Sequence, residues 1–295
     1  MARQMYVTGQ EYDEHAARAI IRMCTHATDI DPRYAQAWAL MAIGQRSLRA
    51  LVAGSDSGMV AAERALSIDP DLAEAHAVKA YISLQNGDAD TSAAEVAVAL
   101  KLDPESYEAN RAAARVNYQL HHFEDAIRLY EKAAHLMETD INSVMTLASC
   151  YTAMGDKAGV RRAAELGLKR AEAVLARDQN NPGVLAYSVY ALMALGESDR
   201  AKARMNRTLM IDPDNFNMRY NFACSLWVYL KDKEAALDLL EGVFSKMTDA
   251  FLPYAKSDPD FELLHDDSRW QAMVSAAEAR LAEAKAAVPA TVAGG

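Results

Sequence analysis

The sequence predicts an all-α fold, namely a right-handed α-solenoid of about seven helix-turn-helix repeats with a C-terminal capping helix. Asp69-Pro70 and Asp103-Pro104 each follow a run of helical composition, and their prolines are 34 positions apart, the length of one helix-turn-helix repeat. Asp31-Pro32 and Asp212-Pro213 repeat the signature. Proline ends a helix because it lacks an N–H and disfavours the α conformation in the residue before it. Alanine is abundant, which also favours helix.

The Asp-Pro pairs divide the chain into units that each contain two helices and a turn. The clearest unit covers residues 73–106, with Gly87-Asp88 at its turn and the small residue Ala99 facing inward. Small residues are expected at such places because helices that cross at roughly 8–10 Å leave little room between them. The later units cover residues 107–140, a stretch from Ile141, residues 182–215 and a stretch from Phe216.

Two intervals depart from the 34-residue period. Pro32 and Pro70 are 38 positions apart, four more than one repeat, while Pro104 and Pro213 are 109 apart, seven more than three repeats. Four and seven residues are close to one and two helical turns of about 3.6 residues, so such insertions lengthen a helix without rotating its apolar face. We place them near residues 51–54 and within residues 161–177.

The two ends of the chain differ from its middle. Met5 and Tyr6 already fit the repeat pattern, so we expect the chain to be a fragment of a longer polypeptide. After residue 248 comes a turn and then an amphipathic helix, which suits the end of a solenoid. The apolar face of that helix comprises Trp270, Met273, Val274, Ala277, Leu281 and Ala284. We divide the chain into a repeat solenoid (1–248), a C-terminal turn and capping helix (249–288) and a flexible tail (289–295).

The units resemble the tetratricopeptide repeat (TPR) over roughly residues 1–248. That motif has an apolar pair and a small residue in its first helix, a small-aromatic-small pattern in its second, and a proline at its end. Residues 107–140 carry Ala114 in the first helix and Ala126, Tyr130 and Ala133 in the second. The resemblance implies a superhelix in which the first helices of successive units line a concave, partner-binding face.

The C-terminal part carries a second resemblance, to repeat modules attached to bacterial class III adenylate cyclases and serine/threonine kinases. It rests on Tyr220-Asn221-Phe222-Ala223-Cys224 and Asp258-Pro259-Asp260-Phe261, followed by Leu264, Asp266-Asp267 and Arg269-Trp270. Those proteins carry their catalytic domain before the repeats. This chain shows no such segment, so catalysis does not follow from the resemblance, and we expect no enzyme activity.

Composition and charge restrict the partners and the location. The net charge of −10 and the pI near 5.2 argue against a general affinity for nucleic acids or anionic membranes, because both require a basic surface. The sequence contains no run of about 18 apolar residues, the length that spans a membrane, and no secretory signal is evident. Cys24, Cys150 and Cys224 are far apart and odd in number, which favours reduced thiols and a cytoplasmic location.

No motif predicts a catalytic, cofactor or metal site. The glycines are isolated, so no glycine-rich loop is available to hold a phosphate. His121, His122, Glu124 and Asp125 cluster in a short turn, where metal ligation is conceivable, but a solvated turn is favoured because no second ligand pair accompanies them. The acidic residues 262–267 are expected to form a surface turn beside a helix N-terminus.

The remaining candidate site is the concave groove. Residues at helical spacing on the inward faces give a mixed aromatic and polar surface. The predicted groove residues are Tyr81, Glu108, Arg111, Arg115, Tyr118, Asn142, Ser149, Thr152, Tyr190, Tyr220 and Trp227. Arginine forks bind carboxylates bidentately, so Arg111 and Arg115 suggest an acidic ligand. The same spacing also permits Tyr81, Tyr190 and Trp227 to pack between helices and the arginines to pair with Glu108 or with water.

These patterns predict a non-catalytic protein-protein interaction scaffold that binds a peptide or a partner domain in the concave groove, with no cofactor, nucleic acid or membrane. The alternative is a regulatory or oligomerisation module of a bacterial signalling enzyme, a nucleotidyl cyclase or kinase whose catalytic domain is absent from this chain. Self-association is expected of such a module. A purely structural spacer is the third interpretation.

Overall fold

The computed structural model describes residues 2–7, 14–213 and 215–286. These residues form sixteen α-helices and one 3₁₀-helix, with no strand among them. The predicted tail at 289–295 lies outside the described residues. The helices are α1 (Ala2–Val7), α2 (Glu14–Ile30), α3 (Ala35–Leu51), α4 (Met59–Ile68), α5 (Ala73–Gln85), α6 (Ala89–Leu102), α7 (Tyr107–Gln119), α8 (Phe123–Leu136), α9 (Ile141–Ala153), α10 (Lys157–Leu175), α11 (Pro182–Ala194), α12 (Ser198–Ile211), α13 (Phe216–Leu230), α14 (Lys233–Lys246), α15 (Leu252–Ser257), the 3₁₀-helix Pro259–Leu264, and α16 (Ser268–Ala286).

Fourteen of the helices form seven pairs in chain order, from α1 with α2 to α13 with α14. From α1 to α12 each helix packs on the next, and α13 packs on α14. In addition, α3 packs with α5, α5 with α7, α9 with α11, and α11 with α13. The odd-numbered helices from α3 to α13 therefore form the inner layer of a solenoid, which confirms the predicted all-α repeat fold. Within the described ranges, no helix is both long and apolar enough to cross a lipid bilayer.

Both insertions fall on helices, where the sequence places them. Helices α5, α7, α9 and α11 have 13 residues each, whereas α3 has 17 and ends at Leu51. Helix α10 has 19 residues, compared with 14 in α8. The four extra residues of α3 are close to one turn, so its apolar face keeps its direction. Helix α10 gains five residues, and the other two of the seven lie in the connection that leads to α11.

In five of the pairs, from α5 with α6 to α13 with α14, the turn uses one residue with a left-handed backbone. That residue is glycine in three units, Gly87 (φ 81°), Gly155 (φ 70°) and Gly196 (φ 79°), because glycine has no Cβ to strain there. The equivalent residues in two other units are His121 (φ 60°) and Lys231 (φ 55°). Seven of the described α-helices, both first and second helices of their units, begin after a carboxyl, hydroxyl or amide side chain that accepts a backbone N–H. These caps are Asp88, Ser106, Asp140, Asp156, Asn181, Asn215 and Asp232.

The core between the helices is rich in alanine, as the repeat pattern predicts. Ala80, Ala99, Ala126 and Ala148 are completely buried, so each allows two backbones to approach closely. Larger side chains such as Phe222 fill the remaining space.

The capping helix α16 covers the open side of α14. The Trp270 ring lies 5.2 Å from the Phe244 ring, in an edge-on arrangement. Arg280 Nη2 donates to the backbone oxygens of Met247 (2.5 Å) and Phe244 (3.3 Å) at the end of α14. Trp270 and Ala277 are buried, whereas Gln271 and Glu278 face solvent. This helix closes the apolar end of the repeat array.

Candidate binding groove

The concave face is covered by the chain itself. After α14, residues 247–265, here called the crossing segment, run across the inner helices and include α15 and the 3₁₀-helix. The segment begins against the end of α3, where Thr248 Oγ1 donates to the Ala50 oxygen (3.2 Å) and Arg49 Nη2 donates to Asp249 Oδ2 (2.6 Å). Residues 262–267 were expected at the surface, but the segment that leads into them is buried: Asp258 is 2% exposed and Phe261 is fully covered.

Asp258 is the most completely bound side chain of the crossing segment. Its Oδ1 accepts the Tyr118 hydroxyl (3.0 Å) from α7, and its Oδ2 accepts the Tyr220 hydroxyl (2.7 Å) from α13. Oδ1 also accepts the backbone N–H of Asp260 (3.1 Å), which caps the 3₁₀-helix. Both tyrosines are almost wholly buried, so this carboxyl and the two phenols satisfy one another out of contact with water.

Asp260, two residues later, is held less well. The Ser149 hydroxyl is 3.4 Å from its Oδ2, a long hydrogen bond, and the same hydroxyl lies 2.7 Å from the Tyr190 oxygen. Although the side chain is only partly covered, its carboxyl faces the interior of the groove. Burial, and next the charge of Asp258, raise the pKa of Asp260 well above its usual value. A charged carboxylate at this position therefore opposes docking of the segment.

The Asp260→Asn variant should be more stable than the parent chain at about pH 8, and the difference should vanish towards about pH 4. The pKa of Asp260 is raised in the folded state, so the parent loses stability as the pH rises from the unfolded-state pKa through the folded-state pKa. Asparagine stays neutral throughout. Urea unfolding across this pH range measures the difference, and an equal shift at every pH would contradict it.

Aromatic and cationic groups form a second set of contacts under the crossing segment. The Arg115 guanidinium lies 4.0 Å from the centre of the Tyr254 ring and 5.9 Å from that of Tyr81. The Arg46 guanidinium lies 4.1 Å from the centre of the Tyr81 ring. Arg115 was expected to meet an acidic ligand, but here it stacks on an aromatic ring of its own chain, an arrangement that favours arginine over lysine.

Helix α1 lies on the neighbouring part of the concave face. Arg3 forms ion pairs with Glu74 and, at 3.4 Å, with Glu108, and Arg111 Nη1 donates to the Tyr6 hydroxyl (3.1 Å). Desolvation, and next the charge of Glu108, raise the pKa of Glu74 to about 7, while Arg3 acts in the opposite direction. This end of the groove is therefore suited to a cationic side chain.

Between the two coverings a small cavity of about 60 Å³ remains. It is lined by five of the predicted groove residues: Arg115, Asn142, Ser149, Tyr190 and Tyr220. Tyr81, Glu108 and Arg111 line a separate space of about 20 Å³ beside α1. Such volumes admit water molecules rather than a ligand of drug size.

The other predicted groove residues lie outside these spaces. Tyr118 lies beneath the segment, bonded to Asp258. Thr152 and Trp227 are half-buried, and the Trp227 ring faces Lys231 Nζ at 5.3 Å. Arg111 Nη2 donates to Asn142 Oδ1 (3.3 Å), so Arg111 joins two predicted residues. Within the described ranges, no cluster of His, Cys, Asp and Glu is arranged to hold a metal ion.

Sequence reasoning missed the residues that occupy the groove. Asp258, Asp260 and Phe261 were recognised only as a C-terminal motif, and Tyr254, Arg46 and Glu74 were not selected. The available signal was the Asp258-Pro259-Asp260-Phe261 turn, which places two carboxyl groups and an aromatic ring within four residues. Nothing in the repeat period indicates where such a turn docks.

No family model and no curated protein sequence matches this chain. Solved structures do. The match to human IFIT1, as a dimer with m7Gppp-AAAA, covers 92% of this chain and 66% of the IFIT1 chain, at 14% identity and a TM-score of 0.57. The match to a chain of the APC/C hetero-tetramer Cut9-Hcn1 covers 92% of this chain and 48% of that chain, at 13% identity and a TM-score of 0.54. The match to YrrB, described as a TPR protein with an unusual peptide-binding site, covers 63% of this chain and 91% of the YrrB chain, at 17% identity and a TM-score of 0.40.

The likenesses to IFIT1 and to the Cut9-Hcn1 chain show the class of fold, a TPR-like α-solenoid, as the repeat pattern predicts. The chain spans about two thirds of the IFIT1 chain and about half of the Cut9-Hcn1 chain. The resemblance of the C-terminal part to modules of cyclases and kinases stays a prediction.

Proposed function

We propose that this protein is a non-catalytic interaction scaffold that binds a peptide segment or a domain of a partner protein in its concave groove. The observation that carries the proposal is the binding of the Asp258 side chain, which accepts hydrogen bonds from Tyr118 and Tyr220 on two different units. Specific side-chain contacts to a segment that crosses several repeats are what peptide recognition by a solenoid requires. Here the segment in the groove belongs to the chain itself.

The chemistry of the groove supports binding rather than catalysis. Burial raises the pKa of the Cys150 and Cys224 thiols, which keeps them in the unreactive protonated form. Burial also raises the pKa of the Tyr118 and Tyr220 phenols, so these side chains act as neutral hydrogen-bond donors. Donors fixed in this way suit recognition of a carboxyl group.

A protein or peptide partner fits the charge of the chain better than a nucleic acid does. The net charge of −10 repels phosphate backbones, and the arginines of the groove are engaged with aromatic rings and hydroxyls. A cytoplasmic setting suits three buried free thiols. As a module of a bacterial signalling enzyme, the alternative proposal, the chain would use the same groove to hold its catalytic domain or to self-associate.

The test is a selection of peptides from a displayed random library on the full-length chain, followed by photo-crosslinking of the selected peptides. We expect crosslinks on α7, α9, α11 and α13. The Thr146→Trp substitution, on the wall of the 60 Å³ cavity, should weaken binding by about tenfold or more, equivalent to about 1.4 kcal/mol.

The matched control is Thr25→Trp on α2. Each threonine hydroxyl donates to the backbone oxygen four residues earlier, at 3.1 Å for Thr146 and 2.9 Å for Thr25, so both substitutions disturb a helix alike. Only Thr146 faces the groove. Crosslinks confined to the convex helices, or equal losses in the two variants, would reject the groove as the binding site.

A further inference from the structure

The crossing segment fits its seat unevenly. At Asp258 the fit is close, with two phenol donors, one backbone donor and almost complete burial. At Asp260 a second carboxyl faces the same enclosed space, with a long hydrogen bond from Ser149 and a weak thiol donor in Cys224. Two like charges near each other in a desolvated site disfavour the state in which both are ionised. The segment therefore binds its own groove less tightly than the groove permits.

We propose that the crossing segment is a resident ligand that a partner displaces, and that the partner presents a turn with a carboxylate at the Asp258 position, a neutral side chain at the Asp260 position and an aromatic ring at the Phe261 position. This inference rests on the proposed function, since it assigns the chemistry and the regulation of the same groove. The partner is a protein segment, and it binds the groove more tightly than the resident segment does because its side chain at the Asp260 position is neutral.

Each element of this ligand follows from an observed contact. The carboxylate is required because Tyr118 and Tyr220 would otherwise bury two hydroxyls without an acceptor. The aromatic ring is required because Phe261 sits against Tyr220, with ring centres 5.4 Å apart, and is fully covered. A neutral amide or hydroxyl at the middle position can still bond to Ser149 and avoids the second charge.

The fold allows the segment to leave without opening the solenoid. Its first residue, Met247, is fixed by Arg280 of α16, and Asp267, just after its end, accepts from Lys233 Nζ (2.9 Å) at the start of α14. Both ends of the segment are therefore tied to the α14–α16 pair. Contacts between those helices, such as Phe244 with Trp270, do not involve the groove. Release costs the segment's own contacts, including those of Phe261 with Trp270 and of Lys256 with Glu278 on α16, and leaves the contacts between α14 and α16 in place.

The protonation state of Asp260 adjusts this competition, because a neutral Asp260 removes the charge that weakens the resident segment. Burial and the Asp258 charge raise the pKa of Asp260. The titratable and charged groups around its carboxyl are Tyr118, Cys150, Tyr190, Cys224, Tyr229, Lys231, Tyr254 and Asp258. The charge of Lys231 and the hydrogen bonds from Ser149 and Cys224 favour the charged form, and Arg115 lines the same cavity. The advantage of the partner should therefore be larger at alkaline than at acidic pH.

The experiment uses three fluorescein-labelled peptides with the sequence of residues 252–265: the parent, an Asp260→Asn peptide and an Asp258→Asn peptide. Each is titrated onto the full-length chain by fluorescence polarisation. At about pH 8 the Asp260→Asn peptide should bind about tenfold tighter than the parent peptide, and the Asp258→Asn peptide about tenfold weaker. The first ratio should fall towards one at about pH 4.5.

Two further measurements test displacement itself. A receptor chain with Asp258→Ala should bind the parent and Asp260→Asn peptides tighter by one common factor, because its groove is open for a larger fraction of the time. The Asp232→Ala receptor, which loses only the cap of α14, should bind them as the parent chain does. Amide hydrogen exchange in residues 248–266 of the unaltered chain should increase when the Asp260→Asn peptide is added.

The outcomes separate the two proposals. Equal affinities for the three peptides, or unchanged exchange in the crossing segment at saturation, would overturn the resident-ligand inference. If the library peptides still crosslink in the groove, the proposed function survives that result. If no peptide crosslinks there, both proposals fail.

Discussion

Replacing Asp258 by alanine should lower the free energy of unfolding by about 3–7 kcal/mol. The change leaves the hydroxyls of Tyr118 and Tyr220 buried without an acceptor, at about 1–3 kcal/mol each, and removes the cap of the 3₁₀-helix, at about 1 kcal/mol. Urea unfolding measures the loss. Hydrogen exchange should locate it in residues 248–266 and not in the helices of the solenoid.

The control for this variant is Asp232→Ala. Asp232 also caps a helix, α14, by accepting a backbone N–H at 3.2 Å, but its side chain is exposed and holds no buried hydroxyl. Its loss should cost about 1 kcal/mol. If the two variants were destabilised equally, Asp258 would be a cap and nothing more, and the docking of the segment would depend on other residues.

Replacing Phe261 by alanine should cost about 3–5 kcal/mol, the range for a large aromatic residue removed from a core. Phe261 is fully covered, and its ring centre lies 5.4 Å from those of both Tyr220 on α13 and Trp270 on α16. The ring therefore links the groove to the capping helix. Thermal and urea unfolding of the variant give the loss.

Leu263 provides a matched control for Phe261, since it lies two residues away in the same 3₁₀-helix and is 79% exposed. Leu263→Ala should change the free energy of unfolding by no more than about 0.5 kcal/mol. A cost for Phe261→Ala as small as this would show that the segment is not packed on the solenoid in solution.

The repeat fold could be predicted because its signals are local and periodic. Each Asp-Pro pair ends a helix through the geometry of its own peptide bond, and each buried alanine recurs because neighbouring helices cross at similar distances. Even the long helices α3 and α10 follow from two irregular intervals between prolines. His121 and Lys231, which replace glycine at the turn, show that the period survives where the residue type changes.

The state of the groove could not be predicted in the same way. The inward residues such as Ser149 and Tyr220 were selected from helical spacing, and the structure places them around one cavity. Their actual partners are distant in sequence: Tyr118 and Asp258 are 140 positions apart. No period relates those positions, and a buried Asp has the same appearance in a sequence as an exposed one. The stacking of Arg115 on the Tyr254 ring could not be predicted, for the same reason.

The bonds from Thr248 and Asp249 to the end of α3 have a mechanical consequence. An open repeat array behaves as a spring, in which each unit touches only its neighbours and the ends can fray independently. Here residues about 200 positions apart are hydrogen-bonded, so the end of α3 and the crossing segment cannot move independently. Stretching or twisting the array must first break these hydrogen bonds. Because these bonds join distant parts of the chain, they make the whole array stiffer than its individual hairpins.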